Sequence, residues 1–278
     1  MDVNLDVPAI KSPLRYPGGK SRAIAKIIQH FPSEFSEYRE PFVGGGSLFI
    51  YLKQKHPELP IWINDLNPEL FLFWKVSQTQ LQKLVEEVWQ IKKTRSDGKS
   101  LFAELTQVET TQLSNLERAV RFFVLNRITF SGTVESGGFS QQAFEKRFTD
   151  SSIARLENLG TVLNNVKITN LDYSEIIAAP GDNPLIFCDP PYLSATSSKL
   201  YGKAGTLHTN FDHDRFARVM ENCPYQWLIT YDNCSKVREN FQFARQIDWE
   251  LQYGMNNYKQ KSAAKGKELF IINYKLGN

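Results

Sequence analysis

The chain has 278 residues, 41% of them hydrophobic, and a formal net charge of +3. This supplies enough apolar material for one large domain, or for a core domain that carries an inserted module. The mildly basic balance permits a nucleic-acid partner without requiring one. The first residues lack the pattern of a signal peptide, and no apolar run approaches the roughly 20 residues that span a bilayer. We therefore expect no membrane association and a cytoplasmic location.

The spacing of cysteines and histidines gives no signature of a disulfide framework or a zinc site. The three cysteines form no close pair, and the four histidines are scattered. One acidic cluster, residues 212–214 (DHD), opens a predicted helix, where such residues usually cap the helix and face solvent. We therefore expect a reducing compartment and no bound metal.

Short strand-like segments alternate with helical ones, which indicates an α/β sheet. The first strand is predicted at residues 38–43, and a helix follows at residues 47–55. Further strands are predicted at residues 61–63, 166–171, 184–188, 226–231, 243–251 and 269–274.

The stretch between the second and third predicted strands is different in character. Residues 72–165 are mainly helical in pattern, and residues 133–139 (TVESGGF) have the composition of a β-hairpin tip. The helical segments are predicted at residues 81–91 and 113–126. We interpret residues 72–165 as an inserted domain, and residues 1–71 together with 166–278 as the core domain.

A glycine-rich segment follows the first predicted strand, at residues 40–47 (EPFVGGGS). Glycines between a strand and a helix let the backbone approach a ligand at the helix N-terminus. A tight turn alone would explain the glycines, but Asp65 lies at the end of the next strand, where a carboxylate binds ribose hydroxyls. The combination favours a nucleoside-type cofactor.

A second glycine segment, residues 15–21 (RYPGGKS), contains Gly-Lys-Ser but is not a phosphate-binding P-loop. That motif requires a glycine at position 14, where this chain has Leu14, and a strand before the loop. From the residues alone, the segment is a turn with a solvated lysine.

A third segment, residues 186–192 (IFCDPPY), runs from an apolar strand into an acid, two prolines and an aromatic ring. The prolines stiffen the turn and remove backbone donors. Asp189 and Tyr192 are thereby fixed beyond the carboxyl end of a strand, where ligands bind in open α/β sheets. Cys188 lies on the apolar strand, so we interpret it as a buried small residue rather than a nucleophile.

Residues 15–20 (RYPGGK), 40–47 (EPFVGGGS) and 189–192 (DPPY) together resemble the Dam-like family of DNA adenine-N6 methyltransferases, in the motif order of its alpha group. The resemblance covers nearly the whole chain. It implies a Rossmann-like sheet that binds S-adenosylmethionine and ends in an antiparallel strand, with target recognition assigned to the inserted domain. It also implies a prokaryotic or phage-type protein.

The resemblance carries functional residues over by position. Those carried over as cofactor-binding are Tyr16, Lys20, Phe42, Gly44, Gly46, Asp65, Asp172 and Asp189. Those carried over as catalytic are Asp189, Pro190 and Tyr192. The residue types fit the reaction, because a carboxylate and a carbonyl that accept the two amino hydrogens of adenine make its nitrogen a better nucleophile. The aromatic ring would stack on a base that has left the duplex.

DNA contacts are predicted in three places. Arg127 ends a segment that resembles the one before the DNA-contacting hairpin of the family. Lys199 lies in the polar loop after the catalytic motif, and Lys259 and Lys261 lie in a basic run without acids, for which a solvated face is the alternative. The hairpin differs from the Asn-Gly-Leu-x-Arg-Tyr-Asn of the Dam enzymes, since residues 131–137 read SGTVESG. The side chains that would read bases therefore differ.

The partners implied are double-stranded DNA and, in a restriction–modification role, a cognate endonuclease. One alternative is the same chemistry on RNA adenine or on a protein amide, although Asp189 argues against the amide because amide-directed relatives carry asparagine there. Another alternative is a non-catalytic DNA-binding protein on the same scaffold. The sequence leaves the target site and the oligomeric state open.

Overall fold

A computed structural model describes residues 10–16, 18–134, 137–193, 211–251 and 266–276 of the chain. Seven strands of these residues form one sheet. They are β1 Glu37–Glu40, β2 Ile61–Asn64, β3 Val166–Thr169, β4 Pro184–Cys188, β5 Gln226–Asp232, β6 Arg245–Leu251 and β7 Gly266–Ile272. All seven predicted strands are therefore present, with boundaries shifted by a few residues.

The strand order is β3-β2-β1-β4-β5-β7-β6. Strands β1 to β5 pair in parallel, whereas β7 runs antiparallel to both β5 and β6. The α/β prediction and the antiparallel last strand are confirmed, and the order is that of a Rossmann-like methyltransferase sheet. Strands are added to one side of β1 up to β3 and to the other side from β4 onward, so the strand order reverses between β1 and β4. The carboxyl ends of the strands on either side of such a switch point form a crevice that binds ligands.

Both faces of the sheet are covered by apolar side chains. Strand β4 is buried along its whole length, and its residues alternate between two clusters, with Phe187 in one and Ile186 in the other. Helix α1 Ile24–Ile28 precedes the first strand, and α2 Ser47–Lys55, α10 Tyr173–Ala178, α11 His213–Glu221 and α12 Ser235–Asn240 connect later strands. Within the described ranges, no helix is long and apolar enough to cross a membrane.

Between β2 and β3 the described chain is helical. The helices are α3 Pro68–Thr79, α4 Leu81–Thr94, α5 Gly98–Gln107, α6 Asn115–Ile128, α7 Gln141–Arg147, α8 Asp150–Glu157 and α9 Leu159–Val162. Capping explains where α3 begins, because the Asn67 side chain accepts from the amides of Glu69 and Leu70 and Pro68 takes the first helical position.

These helices share one apolar core with the sheet. Phe73 of α3 stacks on Phe123 of α6 with ring centroids 6.1 Å apart, and both belong to the cluster that contains Ile63 of β2. The predicted boundary at residue 72 falls inside α3, and α3 shares its apolar core with the sheet. The division into two domains stays a prediction.

The predicted hairpin follows α6. Thr129 and Phe139 form an antiparallel bridge, and the amide of Phe130 donates to the carbonyl of Gly138 at 3.0 Å. Ser131 and Gly132 have φ values of 57° and 78°, which turn the chain sharply. The aromatic ring of Phe130 is 72% exposed.

Candidate active site

The segment after β1, residues 41–46, is called the glycine loop below. Gly44 and Gly46 both have positive φ, 47° and 68°, a conformation that glycine adopts without strain. A Cβ at Gly44 would lie 2.8 Å from Cε1 of Tyr16, so the tyrosine ring lies directly against the loop. The structure therefore brings Tyr16 and Gly44 together, as the resemblance implies for a cofactor site.

Asp65 at the end of β2 holds the glycine loop. One carboxylate oxygen accepts from the amide of Gly44 at 3.0 Å, and the other accepts from the amide of Asn67 at 3.0 Å. Burial is the main influence on this carboxyl and raises its pKa to about 6. Asp65 thus links the ends of β1 and β2, and its predicted contact with ribose hydroxyls remains a prediction.

An aromatic group lies beside the glycine loop. The ring centroid of Phe42 is 5.4 Å from that of Tyr173 and 5.8 Å from that of Phe211. Asp172 caps α10 and pairs with Arg215 at 2.8 Å, and this hydrogen bond is the main cause that lowers the pKa of Asp172 to about 2. The contact of Asp172 with the cofactor adenine remains a prediction. A carboxylate that made this contact would also keep its ion pair with Arg215.

The segment after β4, residues 189–193, is called the catalytic loop below. Asp189 accepts a hydrogen bond from the hydroxyl of Thr230 at 2.7 Å and pairs with the ammonium of Lys20 at 2.9 Å. Lys20 is 5% exposed, and its ammonium lies 4.8 Å from the centroid of the Tyr192 ring. The interpretation of Lys20 as a solvated lysine is wrong, because its side chain is buried against the catalytic loop and its ammonium pairs with Asp189.

Two further contacts fix the far end of the catalytic loop. The hydroxyl of Tyr192 donates to Oε2 of Glu268 at 3.0 Å, and the amide of Leu193 donates to Asp232 at 3.2 Å. Asp232 and Glu268 face each other across the β5–β7 pairing. The loop is thus held by side chains from two strands that follow it in the sequence.

Carboxyl groups are concentrated at this edge of the sheet. Burial raises the pKa of Glu268 to about 7 and that of Glu40, which accepts from the hydroxyl of Tyr38, well above its usual range. Together with Asp65 and Asp189 they form an edge rich in acidic groups. Because burial raises their pKa values, Glu40, Asp65 and Glu268 keep their protons to higher pH than exposed carboxyls do.

The structure corrects the prediction for Arg127. Its side chain is 4% exposed, and its guanidinium donates to the backbone carbonyls of Pro13 and Arg147 at 2.6–3.1 Å. Burial lowers its pKa to about 9. Because the donors point into the protein, Arg127 supports the fold here and is not placed to contact DNA. Lys199, Lys259 and Lys261 lie outside the described residues.

Two other interpretations can be compared with the structure. Cys188 is completely buried, and this burial raises its pKa well above the usual value, which agrees with a structural role rather than a nucleophilic one. Asp212 caps α11 by accepting from the amide of Arg215 at 2.8 Å, as predicted. His213 is partly buried, and its Nδ1 is hydrogen-bonded to the hydroxyl of Tyr231.

Sequence reasoning missed Thr230, Asp232 and Glu268, which hold the catalytic loop. A signal was present for Glu268, because it directly precedes the predicted apolar strand at residues 269–274, which was expected to run antiparallel. The first residues of such a strand lie at the same edge as the carboxyl ends of its parallel neighbours. Polar residues near the end of β5, at the same edge, give the corresponding signal for Thr230 and Asp232.

Comparison with known proteins agrees with this geometry. A family model described as D12 class N6 adenine-specific DNA methyltransferase matches residues 16–255. The type II methyltransferase M.MjaIII of Methanocaldococcus jannaschii is 27% identical, over 95% of this chain and 99% of that protein. The type II methyltransferase M1.LlaDCHI of Lactococcus lactis subsp. cremoris is 24% identical over 94% of each chain. A DNA adenine methylase of Vibrio cholerae is 26% identical over 75% of each chain.

Proposed function

The chain belongs to the D12 class of N6 adenine-specific DNA methyltransferases, and from this membership we propose that it transfers a methyl group from S-adenosylmethionine to N6 of an adenine flipped out of double-stranded DNA. The observation that carries the proposal is the anchored catalytic loop. Asp189 lies at the carboxyl end of β4, tied to Lys20 and Thr230, at the switch point that also carries the glycine loop.

The chemistry assigned to the catalytic loop is orientation of a weak nucleophile. The adenine amino group is planar because its lone pair is delocalised into the ring. Asp189 and the carbonyl of Pro190 accept its two hydrogens, which directs the lone pair away from the ring plane. Thr230 and Lys20 hold the Asp189 carboxylate in place for this task. No strong base is required, because the methylated nitrogen cation is itself very acidic.

Tyr192 provides the surface on which the flipped base stacks. Base–aromatic stacking contributes roughly 1–3 kcal/mol per base. The Tyr192 ring cannot turn freely, because its hydroxyl is bound to Glu268 and Lys20 lies near its ring. An ordered ring lowers the entropy lost when the base enters.

The cofactor site is assigned to the glycine loop and the groups around it. S-adenosylmethionine supplies an electrophilic methyl group on a positively charged sulfonium, and a cation at this edge would favour the ionised forms of the Asp65 and Glu268 carboxyls. Asp65 binds the ribose hydroxyls. The remaining groups assigned to the cofactor are Tyr16, Lys20, Phe42, Gly44, Gly46 and Asp172.

DNA contact is assigned to the segment after α6. Phe130 presents an exposed ring beside the bridge between Thr129 and Phe139, and an exposed aromatic side chain suits contact with bases. Burial is the main cause that lowers the pKa of the Arg15 guanidinium, and the charge of the exposed Arg147 lowers it further. Arg147, which is exposed, therefore replaces Arg127 as the phosphate-binding candidate of this region.

The biological setting is assigned by analogy with the relatives. Two of them are named type II methyltransferases, and one is named a DNA adenine methylase. These names support two settings, a restriction–modification role with a cognate endonuclease or a Dam-like role without one. In either role the enzyme acts where the DNA is, in the cytoplasm of a prokaryotic cell.

The proposal is tested by transfer of tritium from labelled S-adenosylmethionine, followed by chromatography of the digested nucleosides. Duplex DNA, single-stranded DNA and RNA of matched mixed sequence are compared. We expect label in N6-methyladenine from duplex DNA. Label in cytosine, or only in RNA, would contradict the substrate. Cofactor binding without transfer to a genomic DNA mixture would favour the non-catalytic alternative.

A further inference from the structure

The last strand brings a second carboxylate to the catalytic loop. Glu268 of β7 is 1% exposed, and its Oε2 accepts the hydroxyl hydrogen of Tyr192 at 3.0 Å. The ammonium of Lys20 lies 4.8 Å from the centroid of the Tyr192 ring and 2.9 Å from Asp189. Tyr192 is therefore held at two points, by a carboxylate at its hydroxyl and by a cation near its ring.

We propose that Glu268 is a positioning residue for methyl transfer, which in its ionised form fixes the orientation of the Tyr192 ring against the target base. The inference rests on the proposed function, since it concerns the base-stacking residue of that reaction. Glu268 acts through Tyr192 and does not touch the transferred methyl group.

The position of Glu268 is unfavourable for stability alone. It is the third residue of β7, and the residues that follow it, Leu269 to Ile272, are fully buried apolar side chains. Removing a carboxylate from water is unfavourable unless polar partners replace the lost hydration. One such partner of Glu268 is the hydroxyl of Tyr192, so this buried carboxylate acts directly on the catalytic loop.

The surrounding charges determine how Glu268 responds to pH. Lys20 faces it from the turn before α1, Asp189 and Tyr192 from the catalytic loop, and Asp232 from β5. Trp249, its neighbour on β6, does not titrate. Burial is the largest influence and raises the pKa of Glu268 to about 7, with Lys20 opposing the shift and Asp189 adding to it.

The hydrogen bond from Tyr192 therefore changes character near neutral pH. Below pH 7 the Glu268 carboxyl is mainly protonated and accepts as a neutral group. Above pH 7 it is ionised, and a charge-assisted hydrogen bond is roughly twice as strong as a neutral one. The rate of the methyl-transfer step should consequently rise as the pH increases through about 7.

The test compares wild type, Glu268→Gln, Tyr192→Phe and the double variant by single-turnover transfer to duplex DNA at saturating cofactor. Above neutral pH we expect each single variant to lose about tenfold in rate, the effect of one charge-assisted hydrogen bond. The double variant should lose no more than the larger single loss, and Glu268→Gln should lose the rise through neutral pH. Losses that multiply, or a retained rise, would overturn the proposal.

A second readout does not depend on turnover. In protein labelled with carboxyl-¹³C glutamate, the resonance that disappears in Glu268→Gln should titrate near pH 7. Its pKa should increase in Tyr192→Phe, because the tyrosine hydroxyl stabilises the ionised form. An unchanged titration in Tyr192→Phe overturns the positioning role, whatever the substrate. Absence of transfer by wild type, with the titration shifted as expected, would instead contradict the proposed substrate alone.

Discussion

The two loops that meet at the switch point of the sheet are held in different ways. The glycine loop is shaped by backbone geometry, with Gly44 and Gly46 at positive φ and the Asp65 carboxylate bound to a backbone amide. The catalytic loop is held by side chains, with Asp189 tied to Lys20 and Thr230. The first arrangement suits a shaped surface for a cofactor, and the second suits groups whose charge and orientation take part in a reaction.

This difference predicts separate kinetic effects. Changes in the catalytic loop should lower the rate of the transfer step much more than they lower cofactor affinity, although Asp189 is also assigned to the cofactor site. Changes in the glycine loop should lower cofactor affinity or stability and leave the rate at saturating cofactor nearly unchanged. The variants below can confirm or break that separation.

The largest effect is expected from Asp189→Ala. Removing the group that orients the amino nitrogen should lower the single-turnover rate by about a thousandfold or more. Because this change leaves the ammonium of Lys20 buried without its partner, the double variant Lys20→Met/Asp189→Ala controls for stability. Recovery of transfer in the double variant would show that Asp189 serves only to neutralise Lys20.

Gly46→Ala should have the next largest effect, and on stability. An added Cβ would collide with Phe49 and lie 2.8 Å from Cζ2 of Trp74, at a φ of 68° that alanine rarely adopts. We expect the free energy of unfolding to fall by about 3 kcal/mol, measured by urea denaturation. Gly138→Ala is the matched control, because no atom lies within 4 Å of a Cβ there. Equal stability of the two variants would contradict the structure of the glycine loop.

Asp65→Asn should weaken cofactor binding about tenfold, because an amide retains only one acceptor oxygen for the two backbone amides and for ribose. Isothermal calorimetry measures this affinity. In wild type the carboxylate is protonated as the pH falls below about 6, so affinity should decrease through that range and Asp65→Asn should lose this dependence. Asp97→Asn, in a helix cap of α5, is the control. Unchanged affinity in Asp65→Asn would remove its assigned role.

Thr230→Val should have the smallest effect. The substitution removes the hydrogen bond to Asp189 and nearly preserves the volume of a fully buried side chain. Loss of one buried hydrogen bond should lower the single-turnover rate by about fivefold. Thr230→Ser keeps the hydroxyl and should remain close to wild type. A serine variant as slow as the valine variant would indicate a packing effect instead.

The sheet and the residues of both loops could be predicted from the sequence because each strand and each loop is a short continuous segment with a local signal. Strand periodicity, the glycines and the Asp-Pro-Pro-Tyr segment are local signals. The contact of Lys20 with Asp189 joins residues 169 positions apart (189 − 20) and depends on strand order. Arg127 shows the opposite case, since the resemblance of its segment to the one before the family's hairpin predicted a DNA contact, whereas its guanidinium donates to the carbonyls of Pro13 and Arg147.

The measurement that tests the separation of the two loops most directly is the single-turnover rate of methyl transfer to duplex DNA at saturating cofactor, for Asp65→Asn beside Asp189→Ala. We expect Asp65→Asn to transfer at nearly the wild-type rate once the cofactor site is filled, and Asp189→Ala to show at most about a thousandth of that rate. Equal losses in the two variants would contradict the division between a cofactor-binding loop and a catalytic loop.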